Sequence, residues 1–392
     1  MISQIEQTMY RLNNLDRTQQ KLNFQLGGER LENGSDDSVL FGRITSAQDK
    51  IRTFDGIKTL VERTEVQNNM ADSSLAEVKN LLTYVKSELI KANTDTVGDT
   101  DLKSIAVGLA GTRENLFTLA NTQVEGEYLF AGSDSSVKPF VKNPTTGAIT
   151  YEGNNKLRKI AVEEGSYRER GVNGFDAMMF SYSVAYKNET LTFSSTDRIL
   201  DQDGNELKID MDNAVSPSAP KNPLTLVKYD LDGNTTNEFM NYASNGLALD
   251  PLTGTYSFTT PNVAGTKFEA KTSIFDLMDN IINTLSMVDG SGNQIDRAKV
   301  RENLGKQLEA VDKSFTDLTI AHADLGAKNK VFETSLESIE SKLAEYRKLE
   351  TTLASSDLTE VAIKLKALEL TYTAMYSTVS RTNELSLVNF MK

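Results

Sequence analysis

From Leu304 onward the apolar residues recur three and four positions apart: Leu304, Leu308, Val311, Phe315 and Leu318. The register resumes at Leu325 and Phe332 and continues through Leu336, Ile339, Leu343, Tyr346 and Leu353. One heptad position, taken in steps of seven from 304 to 353, is apolar at all eight of its occurrences. Its partner position is polar at His322, Asn329 and Glu350. A pattern held over this many heptads predicts a coiled coil or a long bundle helix. A helix from about 293 to 353 would be about 90 Å long at about 1.5 Å per residue, too long for an ordinary globular domain.

The N-terminal part of the chain supplies a partner. Ile44, Ala47, Ile51, Phe54, Val61, Ala71, Leu75, Val78, Leu82, Val85 and Leu89 keep a similar register, broken by polar Thr64 and Asn68. A third helix is predicted through Leu102, Ile105, Leu109, Leu116 and Leu119, with Asp99, Thr100 or Asp101 as its N-cap. Two terminal helices complete the set. The first carries Ile2, Ile5, Met9, Leu12, Leu15, Leu22 and Leu26, and the last Leu358, Val361, Leu365, Leu368, Tyr372, Met375 and Val379. Each is a narrow apolar stripe. The economical arrangement folds the chain back on itself so that first and last helices pair. Such narrow stripes leave much of each helix uncovered, so residues 1–35 and 355–392 are expected to order only on assembly.

Between the arms the period changes. Strand-like runs such as Ile149-Thr150-Tyr151 and Ile160-Ala161-Val162 alternate with turn dipeptides. Asn173-Gly174, Asp203-Gly204, Asp232-Gly233 and Asn245-Gly246 all suit tight reversals. Composition sharpens the boundary: all seven prolines lie between Pro139 and Pro261, and 14 of the 29 Phe and Tyr fall in residues 133–272. Proline is excluded from helix interiors and aromatics favour strands. The fold class is therefore α+β: a long antiparallel α-helical bundle or coiled coil formed by both chain ends, with an inserted antiparallel β domain. The expected domains are 1–35 with 355–392 (terminal coiled coil), 36–132 with 273–354 (long-helix bundle) and 133–272 (β-rich).

Charge and chemistry narrow the function. The net charge of −13 is 0 over residues 1–35, −5 over 36–132, −4 over 133–272, −4 over 273–354 and 0 over 355–392. An acidic chain does not suit nucleic acid, whose phosphates call for clustered Lys and Arg. With no Cys there is no disulfide, thiolate nucleophile or cysteine-held metal, and with His322 alone there is no histidine-rich metal site. His322 sits on the helix seam, where a polar side chain helps fix register. Asp201-Gln-Asp-Gly-Asn205 and Asp230-Leu-Asp-Gly-Asn234 resemble the start of calcium loops but lack Gly at the sixth position and Glu at the twelfth, so they read as hairpin turns. Asn188-Glu-Thr190 and Asn234-Thr-Thr236 match a glycosylation pattern that means little without a secretory route. No run of 18 apolar residues predicts a membrane span, and Met1-Ile2-Ser3-Gln4-Ile5-Glu6 is not the start of a cleaved signal. The expectation is a chain without catalytic residues, metal ligands or cofactor.

Two motifs carry a resemblance. Residues 27–38, Gly-Gly-Glu-Arg-Leu-Glu-Asn-Gly-Ser-Asp-Asp-Ser, resemble the segment shared by flagellins and flagellar hook-associated proteins through Gly28, Arg30, Leu31, Asp36 and Asp37. Ser38 stands where the hook–filament junction family often has Pro, and Phe41-Gly42 replaces an alanine-rich stretch common in flagellins. Residues 121–132, Asn-Thr-Gln-Val-Glu-Gly-Glu-Tyr-Leu-Phe-Ala-Gly, are similar to flagellins at Asn-Thr-Gln. Their continuation through Tyr128, Leu129, Phe130, Ala131 and Gly132 is similar instead to the junction family, hook-associated protein 3. Tyr151-Glu-Gly153, Gly165, Gly171-Val-Asn-Gly174 and the ending Leu385-Ser-Leu-Val-Asn-Phe390 agree with that choice, whereas residues 180–272 resemble nothing placed.

The resemblance implies a structural protein of the bacterial flagellum, secreted unfolded through the flagellar type III apparatus. It implies a ring of identical subunits at the extracellular hook–filament junction, between hook-associated protein 1 and the flagellin filament. An export chaperone and, transiently, the filament cap are implied as further partners. The terminal helices would line the inner tube, with the long helices next and the β domain outermost. A flagellin is the nearest rival, and an adhesion or glycan-binding module carried by the β domain is a rival of another class.

Overall fold

A computed structural model describes residues 2–94, 97–209, 225–229, 235–241, 247–250, 255–290 and 292–390, without the side chains of 2–5, 225, 235–241 and 382–390. The helices are α1 (Ile2–Gln25), α2 (Ser38–Ala92), α3 (Asp99–Ala120), α4 (Gly174–Ala177), α5 (Ile274–Leu285), α6 (Arg297–Ala354) and α7 (Leu358–Phe390). The fold class is the expected one, with helices of both chain ends packed together and an antiparallel β insertion. Two compact units divide the chain, one of residues 1–59 with 336–392 and one of 60–335.

In the first unit α1 packs on α7. There α2 and α6 meet through Phe54 stacked on Tyr346 and through Gln48, which donates to Glu350 at 2.8 Å. Glu350 is one of the polar breaks in the C-terminal heptad, so the break is filled by a polar partner.

In the second unit the predicted seam residues Val61, Leu75, Val78, Leu82, Val85 and Leu89 of α2 are buried, as are Leu304, Val311, Leu318 and Leu325 of α6. They share one core with Leu102, Leu109 and Leu116 of α3 and with Ile274, Phe275, Met278, Ile281 and Leu285 of α5. The helix α5 is not among the elements the long periodicities predict. Ser273 opens it: its hydroxyl accepts from Asp276 N at 3.1 Å and donates to the Asp276 carboxylate at 2.9 Å. Helix α6 starts at Arg297 rather than near 293 because Asp296 accepts from Lys299 N at 2.8 Å. The predicted caps of α3 are also corrected. Asp99 is already helical, Gly98 is the cap residue, and Asp101 reaches back to accept from Gly98 N at 3.1 Å.

The insertion is antiparallel throughout its described strands. Hairpins form from β1 (Gln123–Val124) with β2 (Glu127–Tyr128), β3 (Phe140–Lys142) with β4 (Ile149–Tyr151), and β5 (Lys159–Glu163) with β6 (Ser166–Glu169). Then come β7 (Met179–Tyr186), β8 (Thr190–Phe193), β9 (Arg198–Leu200), β10 (Glu206–Ile209), β11 (Thr225–Tyr229), β12 (Thr235–Asn241), β13 (Ala248–Asp250), β14 (Thr255–Thr259) and β15 (Lys267–Ser273). A six-stranded sheet runs β12-β11-β10-β9-β15-β7 and a three-stranded one β13-β14-β8. Ala185, Leu191, Phe193, Ile199, Leu207, Phe258 and Phe268 form their shared core. Phe140, Ile149 and Tyr151 instead join the helical core.

The predicted turn at Asp203-Gly204 is a hairpin between β9 and β10. Asp201 accepts from the backbone N–H of Asp203 (2.9 Å) and Asn205 (2.8 Å) and pairs with Lys228 at 3.1 Å. That spends the carboxylate on the turn. Asn173-Gly174 is not a reversal: Asn173 caps α4 by accepting from Asp176 N at 2.7 Å. An Asn side chain serves either purpose, and the following Phe and Ala favour the helix. Asp232-Gly233, Asn245-Gly246 and the loop at Asp230 lie outside the described residues.

Candidate assembly surface and motif junctions

The terminal stripes come together only in part. Leu22 of α1 and Val361 and Leu368 of α7 form a small buried cluster, joined by half-buried Leu15, Leu365 and Tyr372. Leu12, Met375 and Val379 are half-buried, while Met9, Leu26 and Leu358 are exposed. Ile2 and Ile5 lie on α1, with side chains outside the described residues. Tyr372 donates its hydroxyl to Asp16, and that carboxylate pushes the phenol up to about 12. Tyr10, Ile363, Leu370 and Tyr376, which the stripes did not include, are also exposed, at 63–69%. Two helices alone therefore leave a broad apolar area uncovered.

The first motif forms the crossing between α1 and α2. Gly28 (φ +98°) turns the chain so that its carbonyl accepts from Ser356 N at 3.0 Å, while Arg30 N donates to Ala354 O at 2.7 Å. The two inter-helix linkers thus pair at a bridge between Glu29 and Ser355. The Asp-Asp pair divides two tasks. Asp36 accepts from Asn33 N (3.1 Å) and pairs with Lys21 (3.1 Å), and both contacts lower its pKa from the ordinary carboxylate value. Asp37 caps α2, accepting from Leu40 N at 3.0 Å. Ser38 is then the first helical residue, the position that tolerates Pro because its N–H has no helical acceptor. Asp357 repeats the cap on α7, accepting from Thr359 N at 2.9 Å and Glu360 N at 3.1 Å. Arg30 is exposed and Leu31 half-buried.

The second motif folds as the β1–β2 hairpin. Its loop residues Glu125 and Gly126 have φ of 53° and 81°, the two positive values a two-residue reversal of this hand requires. The turn aims Glu127 at cations that sequence reasoning did not single out. Arg170 donates to it at 2.6 Å, Gln67 at 3.1 Å and Arg158 at 3.2 Å, and Arg63 stands 3.6 Å away. Burial alone would raise its pKa, but the bonds from Arg170 and Gln67 and the charges of Arg170 and Arg158 hold it at about 2. Arg63 also pairs with Glu125 at 2.7 Å.

Downstream, the motif is locked by backbone. Phe130 O accepts from Gly174 N at 2.7 Å and from the Tyr151 hydroxyl at 3.1 Å, and Tyr151 also donates to Asn154 O at 2.9 Å. Burial raises the phenol's pKa above the ordinary tyrosine value. A Cβ on Gly132 would stand 2.3 Å from Asn154 Oδ1 and 2.5 Å from Asn154 O. Phe130 and Ala131 are fully buried, while Tyr128 and Leu129 are half-buried. The three glycine-bearing runs noted in the sequence, at 132, 153 and 174, are therefore one packed junction.

No protein-family model matches the chain. Flagellar hook-associated protein 3 of Salmonella typhimurium is 27% identical over 181 residues, 45% of this chain and 54% of that protein. The Escherichia coli protein of the same name is 27% identical over 117 residues, 29% of this chain and 36% of that protein. The chain is similar to flagellar hook-associated protein 3. The match spans about half or less of the length of these curated relatives. The fold agrees: the crystal structure of flagellar hook associated protein-3 from Legionella pneumophila superposes with a TM-score of 0.52 at 17% identity, covering 79% of this chain and 98% of that one. The resemblance carried by the two motifs is borne out.

His322 Nε2 donates to the Asp72 carboxylate at 2.8 Å across the α2–α6 seam, a helix-to-helix contact. Among the described residues no group of three or more His, Asp or Glu is placed to hold a metal, and no helix is long and apolar enough to cross a membrane.

Proposed function

We propose that this chain is a structural, non-enzymatic subunit of the bacterial flagellum, working at the hook–filament junction. The similarity to flagellar hook-associated protein 3 in sequence and fold carries this reading. The chain would leave the cell unfolded through the flagellar type III apparatus, with a chaperone and the filament cap as transient partners. It would then assemble as a ring between hook-associated protein 1 and flagellin. The terminal segments 1–35 and 355–392 would form the inner tube. Their support is the apolar surface left open at Met9, Tyr10, Leu26, Ile363, Leu370 and Tyr376, which neighbouring subunits would bury. Residues 36–132 with 273–354 would make the surrounding shell, and 133–272 the outer domain. Immunogold labelling of the chain on isolated flagella tests the placement. A short zone next to the hook is expected; label along the whole filament would make it a flagellin instead.

A further inference from the structure

Two polar breaks in the seam of residues 60–335, Asn68 and Asn329, each carry a buried atom without a partner. The antiparallel register there is set by Lys86 with Asp312 (2.5 Å) and Asp72 with His322 (2.8 Å). Counting in equal steps to Asn68 places it opposite residue 330 of α6 from the first pair and residue 326 from the second, a span that contains Asn329. Asn68 is 1% exposed, and its Nδ2 is a buried donor with no acceptor. Asn329 Oδ1, on this stretch of α6, is a buried acceptor with no donor.

Asn68 lines a cavity of about 30 Å³ together with Gln67, Glu127, Arg158, Arg170 and Gly171. A water needs about 10–15 Å³ of such space and two to four polar partners. The Asn68 amide and the arginines offer donors, and the Glu127 carboxylate offers an acceptor. The mixed lining suits a molecule that both accepts and donates. A halide would accept from Asn68 but face the Glu127 carboxylate, and a metal cation would face Arg158 and Arg170.

We infer that this cavity is an internal hydration site: a water held by Asn68 links the α2–α6 seam to the Glu127 hub of the β1–β2 hairpin. A buried polar group in a helix seam favours the one register in which its bonds are made. The site thus ties the helix register to the placement of the second motif. It does not depend on the flagellar reading.

Crystals of the full chain, grown once in chloride and once in bromide, test this. The expected result is a density peak within hydrogen-bond distance of Asn68 Nδ2 that shows no bromide anomalous signal. A bromide peak, a cavity without density, or a direct Asn68–Asn329 amide bond would each overturn the inference. In solution, water-¹⁷O relaxation dispersion counts long-lived internal waters. Asn68→Leu should lower that count by about one, and an unchanged count would refute the site. Register is read by spin labels on Ser73→Cys and Ala327→Cys, exposed positions in a chain with no native Cys. The Asn68→Leu background should broaden their distance distribution while Asn68→Ser retains it. Equal widths in both backgrounds would remove the register role.

Discussion

Three glycines separate two costs that are usually tangled. At Gly132 φ is +88°, and an added Cβ would lie 2.3 Å from Asn154 Oδ1, 2.5 Å from Asn154 O and 2.9 Å from Lys156 O. At Gly147 φ is +75°, yet nothing lies within 4 Å. At Gly174, where φ lies outside the left-handed region, the Cβ would stand 2.8 Å from both Phe140 and Tyr151 rings. Left-handed backbone costs an L-residue about 1–2 kcal/mol, and overfilling a tight site typically costs about 1–3 kcal/mol. Gly147→Ala should thus lose about 1–2 kcal/mol and Gly174→Ala about 1–3 kcal/mol, with Gly132→Ala carrying both at about 2–5 kcal/mol. Two of the three atoms facing Gly132 are backbone carbonyls, so the site cannot relax by a rotamer change alone. Urea unfolding of each variant, followed by far-UV circular dichroism, gives the differences. Should Gly132→Ala prove no worse than Gly147→Ala, the packed junction of the second motif is not what restricts residue 132.

Asp37→Ala removes the cap of α2 and should cost about 0.5–2 kcal/mol in the same assay, with Asp37→Asn close to neutral. Two carboxylates give opposite pH limbs. Glu127, held at about 2 against an ordinary 4.5, contributes stability that is present above 4.5 and lost as pH falls toward 2. Glu127→Gln should flatten that acid limb. Asp276 is raised to about 6 by burial and by the charge of Asp197, against the bond from Ser273, so the folded chain binds its proton more tightly than the unfolded one. Stability should therefore rise as pH falls from above 6 toward 4, and Asp276→Asn should erase the rise in pH-dependent melts. Ile363→Glu, on the exposed face of α7, should abolish the proposed self-association in sedimentation assays while leaving the melting of residues 60–335 unchanged. Limited proteolysis of the free monomer should remove residues 1–35 and 355–392 first; terminal segments as resistant as α6 would contradict ordering on assembly.

The long helices were legible because their partners obey one period. All but one of the eight residues of the C-terminal heptad position are buried, Tyr346 being half-exposed while it stacks on Phe54. The polar breaks were legible as breaks, but their partners were not: Glu350 needs Gln48 and His322 needs Asp72, and only the register brings them together. The terminal stripes were visible, yet their exposed neighbours Tyr10, Ile363 and Tyr376 fall outside a two-helix seam and so outside the pattern. The motifs could be matched without being explained. That Asp36 holds a turn while Asp37 caps a helix depends on where α2 begins. The arginines around Glu127 come from positions 63, 158 and 170 and share no local signal. The local signal the sequence does hold is Gly126, whose freedom at positive φ suits a reversal in the middle of the motif. Asn173-Gly174 misled because a single Asn can serve a turn or a helix cap, and the choice rests on tertiary packing around Phe175.

The proposed role of this chain is to join filament to hook. Deleting its gene and examining the cells by electron microscopy, with the medium assayed for shed flagellin, tests it most directly. Intact hooks without filaments and flagellin released outside the cell are expected; filaments of normal length and number would contradict the role.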